Sequence, residues 1–501
     1  MAPVQAPARI LWVALALGWA TDILFYGKPL GISVPLFVLL GLGALIGLGR
    51  REGVGPRRAN LWLLAPIAFF AAMIFVRANT TLTVLNSLAL LGLLGLLVYF
   101  YAGGRLGRLG LLGYPTVLGL VGKHVVLDPV APVAGGCEAV RPNPRTWRRA
   151  APVLRGVALA GPVLFVFAAL LASADSVFAG LLGDLLQLNF LTSLPELLWR
   201  LALIGGAAWI VAGGLFYALR RRRAPDDPAP GAYRPGVSLG FVEGATVLAL
   251  VNALFLVFNW IQVTYLFSGE AARTLDYEAY REYVRRGFGE LLVVAVLTMI
   301  LILGLRWAAW KETPREGRIL NGLSTLMIGL ALLLLGSAFM RMVVWEDITY
   351  YINTELRIYV RWFIVWLGVA FLWLLGTLWT RPERFAIGGF VVALGFLVSI
   401  NLVNPDADVA AYNLARNDEL STRYLYLLSA DAVPALAGGL DRTTGEVQQR
   451  LRDDLARRLW TMEHDPTWQA WPAFHLARWD AYHTLTALQA AGKLDTISAT
   501  R

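Results

Sequence analysis

Long apolar runs separated by short polar connections dominate the pattern along this chain. The runs are roughly 18–25 residues long, which is enough for a helix to cross the ~30 Å hydrocarbon core of a bilayer. They show no strict alternation of apolar and polar positions, which argues against a β-barrel. The pattern predicts an all-α fold, a polytopic transmembrane helix bundle over residues 1–403 with a small helical extracytoplasmic region at 404–501. The eleven predicted spans are residues 10–26, 30–49, 61–76, 81–101, 157–173, 197–219, 244–267, 288–310, 319–344, 358–380 and 385–402.

The composition supports the membrane class, with 57% hydrophobic and 16% charged residues and a mean hydropathy of +0.59. In a soluble protein the net charge of +10 would suggest nucleic acid as a partner. Here the basic residues lie in alternate connections, at 50–58, 104–149, 220–223, 311–318 and 381–384, while acidic residues lie in the others. This asymmetry predicts a membrane protein with a cytoplasmic N-terminus and an extracytoplasmic C-terminus, and no nucleic-acid partner.

Two apolar segments have a second reading. Residues 111–127, inside the basic connection 104–149, are interrupted by glycines and Pro115, so we interpret them as a segment at the cytoplasmic membrane interface. The first run could be a cleaved signal peptide, since Arg9 precedes its apolar core. The absence of a small-x-small cleavage pattern after Ala20 favours a retained span.

Two regions are candidates for contact with a partner. Residues 276–288 predict an amphipathic helix on the outer face, with Tyr277 and Tyr280 on one side and Arg285 and Arg286 at its flank and far side. The tail is acidic, with ten basic and thirteen acidic residues after residue 404, and its periodicity predicts short helices at 446–462 and 474–491. Three tail tryptophans are expected to pack against the bundle, lipid headgroups or a protein partner: Trp468, Trp471 and Trp479.

Ionisable and polar groups at membrane depth are functional candidates because their burial in lipid is costly. Asp22 lies near the outer end of the first span, where it could pair with Lys28 or with an arginine of another helix, or serve an ion, proton or substrate. Asn252, Asn259 and Gln262 share one helical face, which suits either hydrogen bonds between helices or a substrate path.

Three further residues lie at predicted outer ends of spans. Arg357 and Arg361 are one helical turn apart and follow several acidic residues, so they form either an anion-binding entrance or a local ion-pair network. Asp175 follows the span predicted at 157–173 and is a candidate for chemistry on the outer face. Trp362, Trp366 and Trp373 share a face and are interpreted as interface anchors and packing residues.

No catalytic motif emerges from the chain. It contains no nucleotide-binding loop, nucleophile elbow or zinc-protease helix, and its three tail histidines lack the spacing that places two ligands on one helical face. The single cysteine, Cys137, excludes an intramolecular disulfide. We therefore predict no catalytic residue, no cofactor and no metal site.

Four stretches resemble the signature segments of a bacterial family of polytopic membrane proteins that is classified only as a domain of unknown function. They are TDILFYGKPLGIS (21–33), LLASADSVFAGLL (170–182), YLFSGEAARTLDYEAYREYVRRGFGELL (265–292) and NPDADVAAYNLAR (404–416). The resemblance implies a location in the cytoplasmic membrane and carries no activity with it.

Three classes of function fit the sequence. We favour a non-catalytic envelope scaffold, sensor or assembly factor, with the bilayer and an extracytoplasmic protein as partners. The alternatives are a secondary transporter of a small solute or ion, lined by Asp22 and the polar face at 252–262, and a membrane enzyme acting on a lipid-linked substrate at the outer leaflet.

Overall fold

The computed structural model describes residues 6–133, 189–220, 239–262, 264, 288–308, 313–349, 353–416 and 424–494. This part of the chain is helical and contains no β-strand. Fifteen α-helices are described here, and several short 3-10 turns connect them. They are α1 Pro7–Phe25, α2 Ser33–Arg51, α3 Leu64–Val76, α4 Thr80–Phe100, α5 Gly113–Leu127, α6 Asn189–Arg220, α7 Phe241–Gln262, α8 Phe288–Ala308, α9 Pro314–Thr349, α10 Glu355–Trp379, α11 Phe385–Val403, α12 Pro405–Arg416, α13 Val433–Gly439, α14 Gly445–His464 and α15 Leu476–Ala490.

Among the described residues, eleven helical segments are long and apolar enough to cross a membrane. This confirms the predicted polytopic helix bundle. The number matches the prediction, but one member differs, because Gly113–Val133 qualifies where the sequence pattern indicates an interfacial segment. Pro115 lies in the first turn of α5, where its missing amide hydrogen breaks no helical hydrogen bond. The span predicted at 157–173 lies outside the described residues, as does the amphipathic helix predicted at 276–288.

The described chain divides into two compact units. The first contains α1, most of α2, the second half of α5, and α6. A glycine permits close packing of α1 on α6, since a Cβ at Gly18 would overlap the carbonyl of Ile204 and the side chain of Ala208. A similar approach brings Gly213 of α6 against the backbone of Val125 in α5.

The second unit contains residues 27–38, 56–119 and the described residues after 238. Its apolar core joins α7, α8, α9, α10 and the start of α11, with Leu248, Ile302, Ile328 and Phe371 buried at its centre. This core holds the spans of the unit side by side.

The face of α10 that carries the tryptophans packs on α11. A Cβ at Gly395 would overlap the ring of Trp366, and a Cβ at Gly388 would overlap the ring of Trp373. The two tryptophans are seven residues apart on α10, and the two glycines are seven residues apart on α11. Two large side chains of one helix therefore pack into the spaces left by two glycines of the antiparallel neighbour. Trp366 also donates from Nε1 to Oγ of Ser399 at 3.1 Å.

The C-terminal helices form a core of their own in the same unit. Leu451, Leu455 and Leu459 of α14 pack with Leu436 of α13 and Leu485 of α15. The helices α14 and α15 agree with the segments predicted at 446–462 and 474–491 to within two residues. Ile358 in the first turn of α10 and Val409 of α12 belong to the same apolar cluster. The core of the tail is therefore continuous with the end of one span.

Candidate functional site

Asp22 is buried in the first unit and pairs with an arginine of another helix. Arg200 of α6 donates from Nε to Oδ1 at 2.9 Å and from Nη2 to Oδ2 at 2.7 Å. The same guanidinium lies over the ring of Tyr26, 4.8 Å from its centroid. Such a two-point contact neutralises the carboxylate and fixes the crossing of α1 and α6.

This pair leads to a testable expectation. Replacing Arg200 by alanine should destabilise the folded protein more than replacing both Asp22 and Arg200, because the single change removes the guanidinium that donates two hydrogen bonds to a buried carboxylate. Thermal unfolding of detergent-solubilised protein, followed by size-exclusion chromatography, measures the order. A double variant less stable than Arg200→Ala would contradict it.

The polar face of α7 lies against α9 in the second unit. Asn252 donates to the carbonyl of Leu323 at 2.9 Å, and Asn259 donates to its own helix at Phe255 and, at 3.4 Å, to Leu330. The acceptors are seven residues apart, like the donors, so the two helices run parallel in register. These are interhelical hydrogen bonds of the kind that hold membrane helices together.

The third member of this face, Gln262, lies beside an arginine that the sequence analysis did not single out. Its Oε1 accepts from Oγ of Ser337 and from Nη2 of Arg341, both at 2.8 Å. Arg341 is only 4% exposed and lies within the candidate span Pro314–Val343. The local signal for Arg341 was its position as a charged residue inside an apolar run.

The remaining predicted site residues are placed less fully. Arg357 and Arg361 lie half-buried in the first two turns of α10. Two of the acidic residues that precede them in the chain are Glu346 and Asp347, whose side chains lie outside the described set. Asp175 and the proposed interaction residues Tyr277, Tyr280, Arg285 and Arg286 also lie outside the described residues.

A cluster that the sequence analysis missed joins the tail to the ends of four spans. We call it the polar clamp, and it consists of Asn79, Glu355, Asp406, Ser429 and Asp431. Asn79 lies between α3 and α4, and Glu355 begins α10. The other three residues lie in the tail, and Asp406 comes shortly after the end of α11. The clamp therefore collects residues that are far apart in sequence.

Asn79 is the centre of the clamp. Its Oδ1 accepts from the backbone amide of Leu82 at 2.9 Å and so caps α4. Its Nδ2 donates to Oε2 of Glu355 and to Oδ1 of Asp406, both at 2.9 Å. One side chain thus ends a helix and holds two carboxylates from other helices. Asn79 is 4% exposed and Asp406 is fully buried.

The tail contributes the second half of the clamp. Oδ2 of Asp431 accepts from the backbone amides of Ala78 and Asn79 at 2.6 and 2.9 Å. The backbone amide and hydroxyl of Ser429 donate to Oδ2 of Asp406. Asp431 also lies 3.8 Å from the guanidinium of Arg77. Tail and span ends therefore satisfy each other's polar groups, as buried polar groups require.

Local sequence explains how Asp406 reaches the clamp. Asn404 has φ 54°, the left-handed conformation in which asparagine is tolerated, and it ends α11. Pro405 follows as the first residue of α12, where a missing amide hydrogen is harmless. This sharp corner turns Asp406 back toward Asn79. Asn413 of the same helix accepts from the amide of Asn353 at 2.8 Å, which gives the tail a second anchor beside α10.

Burial and hydrogen bonds act in opposite directions on the pKa of Asp431. Burial raises the pKa of Asp431 above its ordinary value, and the amides of Asn79 and Ala78 together with Arg77 oppose that rise. Asp406 and Asp431 each accept hydrogen bonds from the backbone, so their lone pairs are largely engaged. Among the described residues no group of three His, Cys, Asp or Glu side chains is arranged to hold a metal ion.

His475 marks a second contact of the tail with α3. It is 3% exposed, and the backbone of Ile74 and Arg77 lies close to its ring. Burial, aided by the nearby Arg478, lowers the pKa of His475 to about 4. The neighbouring ring of Phe474 lies 6.0 Å from Phe75. A neutral histidine is therefore part of the docked tail.

Acidification should weaken the docked tail through this residue. Because the folded pKa of His475 is depressed, its stabilisation is present above pH 6.5 and is lost as pH falls toward 4. The loss reaches about 3 kcal/mol at most. Tryptophan-detected unfolding at stepwise pH should show a smaller acid loss in His475→Gln than in the wild type. The raised pKa of Asp431 has the opposite effect on stability as pH falls, and this effect is common to both proteins. Equal pH profiles for the wild type and His475→Gln would contradict the assignment of the acid loss to His475.

The helices and buried polar contacts together define an integral membrane protein of the polytopic helical class. The chain belongs to the DUF4153 family, a domain of unknown function, whose family model matches residues 64–438. This confirms the resemblance seen in the sequence. The match contains all five clamp residues and ends before α14. No curated protein and no solved structure matches the chain.

Proposed function

We propose that the protein is a non-catalytic scaffold, sensor or assembly factor of the bacterial cell envelope. Its tail, held on the extracytoplasmic ends of the spans, would present a surface to a protein partner. The polar clamp is the observation that carries this proposal, because it fixes the helical tail to the ends of spans near Asn79, Glu355 and Asp406. A fixed tail gives a partner a defined surface, and it couples any partner to the spans beneath.

The chemistry of the clamp supports a positioning role. Its carboxylates accept from Asn79 and from backbone amides, which are contacts that hold a group in place. Asp22, the other buried carboxylate that the sequence singles out, is neutralised by Arg200.

Growth competition in the native host separates this proposal from transport. Full-length variants of matched membrane abundance compete with the wild type under envelope stress. The proposal expects Asn79→Asp and the double variant Tyr277→Ala/Tyr280→Ala to lose fitness as severely as a gene deletion. Asp22→Asn and Asn259→Leu should compete normally when they insert normally. Normal fitness of both Asn79→Asp and the tyrosine double variant would overturn the proposal.

A secondary transporter is the second candidate, and the buried Arg341 favours it. An arginine held by Gln262 and Ser337 inside a span is the kind of group that binds an anion or tracks an ion on its path. On this alternative, Asn259→Leu and Arg341→Met abolish fitness, while variants of the clamp change only stability. The same competition therefore decides between the two functions.

A further inference from the structure

An open cavity of about 550 Å³ lies on the tail, with several cationic side chains in its wall. Arg457, Arg458 and Arg478 line it, together with the rings of Tyr426 and Trp468. Asp454 and Asp465 are the acidic residues of the wall. Whether the cavity attracts an anion depends on which of these charges are already paired.

Two of the arginines share one aspartate. Oδ1 and Oδ2 of Asp454 accept from Arg457 and Arg458, each at 2.7 Å. Arg458 also donates to the carbonyls of Leu428 and Leu425, at 2.8 and 3.1 Å. The donors of the Arg458 guanidinium are therefore already used in hydrogen bonds within the tail. The side chain of Asp454 is 2% exposed.

Arg478 differs from the other two. Within the described chain its buried Nη1 has no hydrogen-bond partner. Burial lowers the pKa of Arg478, and the carboxylate of Asp465 opposes this from a distance. Asp465 itself accepts from the amide and hydroxyl of Thr467, at 3.0 and 2.6 Å. Arg478 also lines the cavity, and a partly desolvated guanidinium for which the described residues show no hydrogen bond or ion pair is a site for an oxyanion.

Trp468 also lines an aromatic groove of about 620 Å³, so one ring borders both spaces. Trp471 and Trp479 border this groove and are 62% and 44% exposed. Ile32 and Leu36 form its opposite wall. The ring of Trp468 lies 5.3 Å from that of Tyr482, which also lines the groove.

The groove is attached to the end of a span. The amide of Ile32 donates to the carbonyl of Phe474 at 2.8 Å, and Ser33 begins the candidate span Ser33–Arg51. Gly31 permits this contact, because a Cβ there would overlap the backbone of Ala473 and Phe474. The groove therefore adjoins the start of a candidate span, and indole rings are enriched at membrane interfaces.

We propose that this pair of spaces binds an anionic phospholipid. The phosphate would accept hydrogen bonds from Arg478 in the cavity, and an acyl chain would follow the groove past Leu36 into the bilayer. Charge complementarity selects the headgroup, and the position of Ile32 at the start of a span selects a lipid over a soluble phosphate. This site lies outside the polar clamp and does not depend on the proposed function.

Lipid titration of the purified full-length protein tests the site. Quenching of tryptophan fluorescence by brominated phosphatidylglycerol is measured in neutral detergent, with brominated phosphatidylcholine as the uncharged comparison. The wild type should bind the anionic lipid more tightly, and Arg478→Gln should weaken its binding about tenfold. Arg442→Gln, which removes an exposed tail arginine outside both walls, is the matched control and should leave binding unchanged.

Two further variants and a competition with inorganic phosphate complete the test. Arg478→Lys keeps the charge and should retain most of the affinity, and Trp471→Gln changes an exposed ring and should weaken binding without unfolding the tail. Inorganic phosphate in excess should not displace the lipid, and displacement would show an ion site that takes free phosphate instead. Equal affinity for the two lipids, or unchanged affinity in both Arg478→Gln and Trp471→Gln, would overturn the proposal.

Discussion

Replacing Asn79 by aspartate is expected to lower the free energy of unfolding of the tail by about 3 kcal/mol at neutral pH. The aspartate oxygen can still cap α4 at Leu82, but the donor to Glu355 and Asp406 is lost. A third carboxylate then faces two others in a buried site, where like charges repel strongly. Denaturant unfolding followed by tail tryptophan fluorescence measures the loss.

Lower pH should partly reverse this effect, because a protonated carboxyl group can donate a hydrogen bond again. Asp441→Asn is the control, since Asp441 forms an exposed ion pair with Lys493 that is expected to contribute little. A loss in Asn79→Asp no larger than that in Asp441→Asn would show that the clamp does not hold the tail.

Replacing Gly395 by leucine should separate α10 from α11 and cost about 1–3 kcal/mol or more, because the new side chain must occupy the space of the Trp366 ring. Unfolding in mixed micelles with increasing sodium dodecyl sulfate measures the change. Gly368→Leu is the matched control, as it lies on α10 with open space around its Cβ position. Gly368→Leu should therefore cost much less than Gly395→Leu, which would show that the loss comes from the overlap with Trp366 and not from replacing a glycine.

A second-site change sharpens this test. Trp366→Ala combined with Gly395→Leu should be less destabilising than the sum of the two single changes, since the leucine fills the space that the ring leaves. Strict additivity of the two changes would contradict direct packing of Trp366 on Gly395.

Features that depend on local sequence periodicity could be predicted from the sequence. Apolar run length predicted the spans, and seven-residue spacing predicted that Asn252 and Asn259 share a face, which in the structure lies against α9. The same spacing joined Trp366 and Trp373, although the glycines opposite them belong to another helix. Segment 111–127 shows the limit, because glycines that lower helix propensity do not prevent a helix there.

The polar clamp could not be predicted because its partners are remote in sequence. Asn79 is 327 residues from Asp406 and 352 residues from Asp431, and a single chain contains no local pattern that pairs them. The partner of Asp22 was left open for the same reason, since Arg200 is 178 residues away. Two local signals were present: an asparagine in capping position before α4, and the Asn404–Pro405–Asp406 corner.

Cysteine accessibility in intact cells tests most directly whether the tail faces outward. In a Cys137→Ser background, Asp441→Cys marks the tail and Arg315→Cys marks the start of α9, whose other end leads to the Asn353–Asn413 anchor. A membrane-impermeant maleimide should label Asp441→Cys at once and Arg315→Cys only after permeabilisation. Labelling in the reverse order would place the tail in the cytoplasm, as expected if both 113–133 and 157–173 cross the membrane, and would contradict a partner on the outer face.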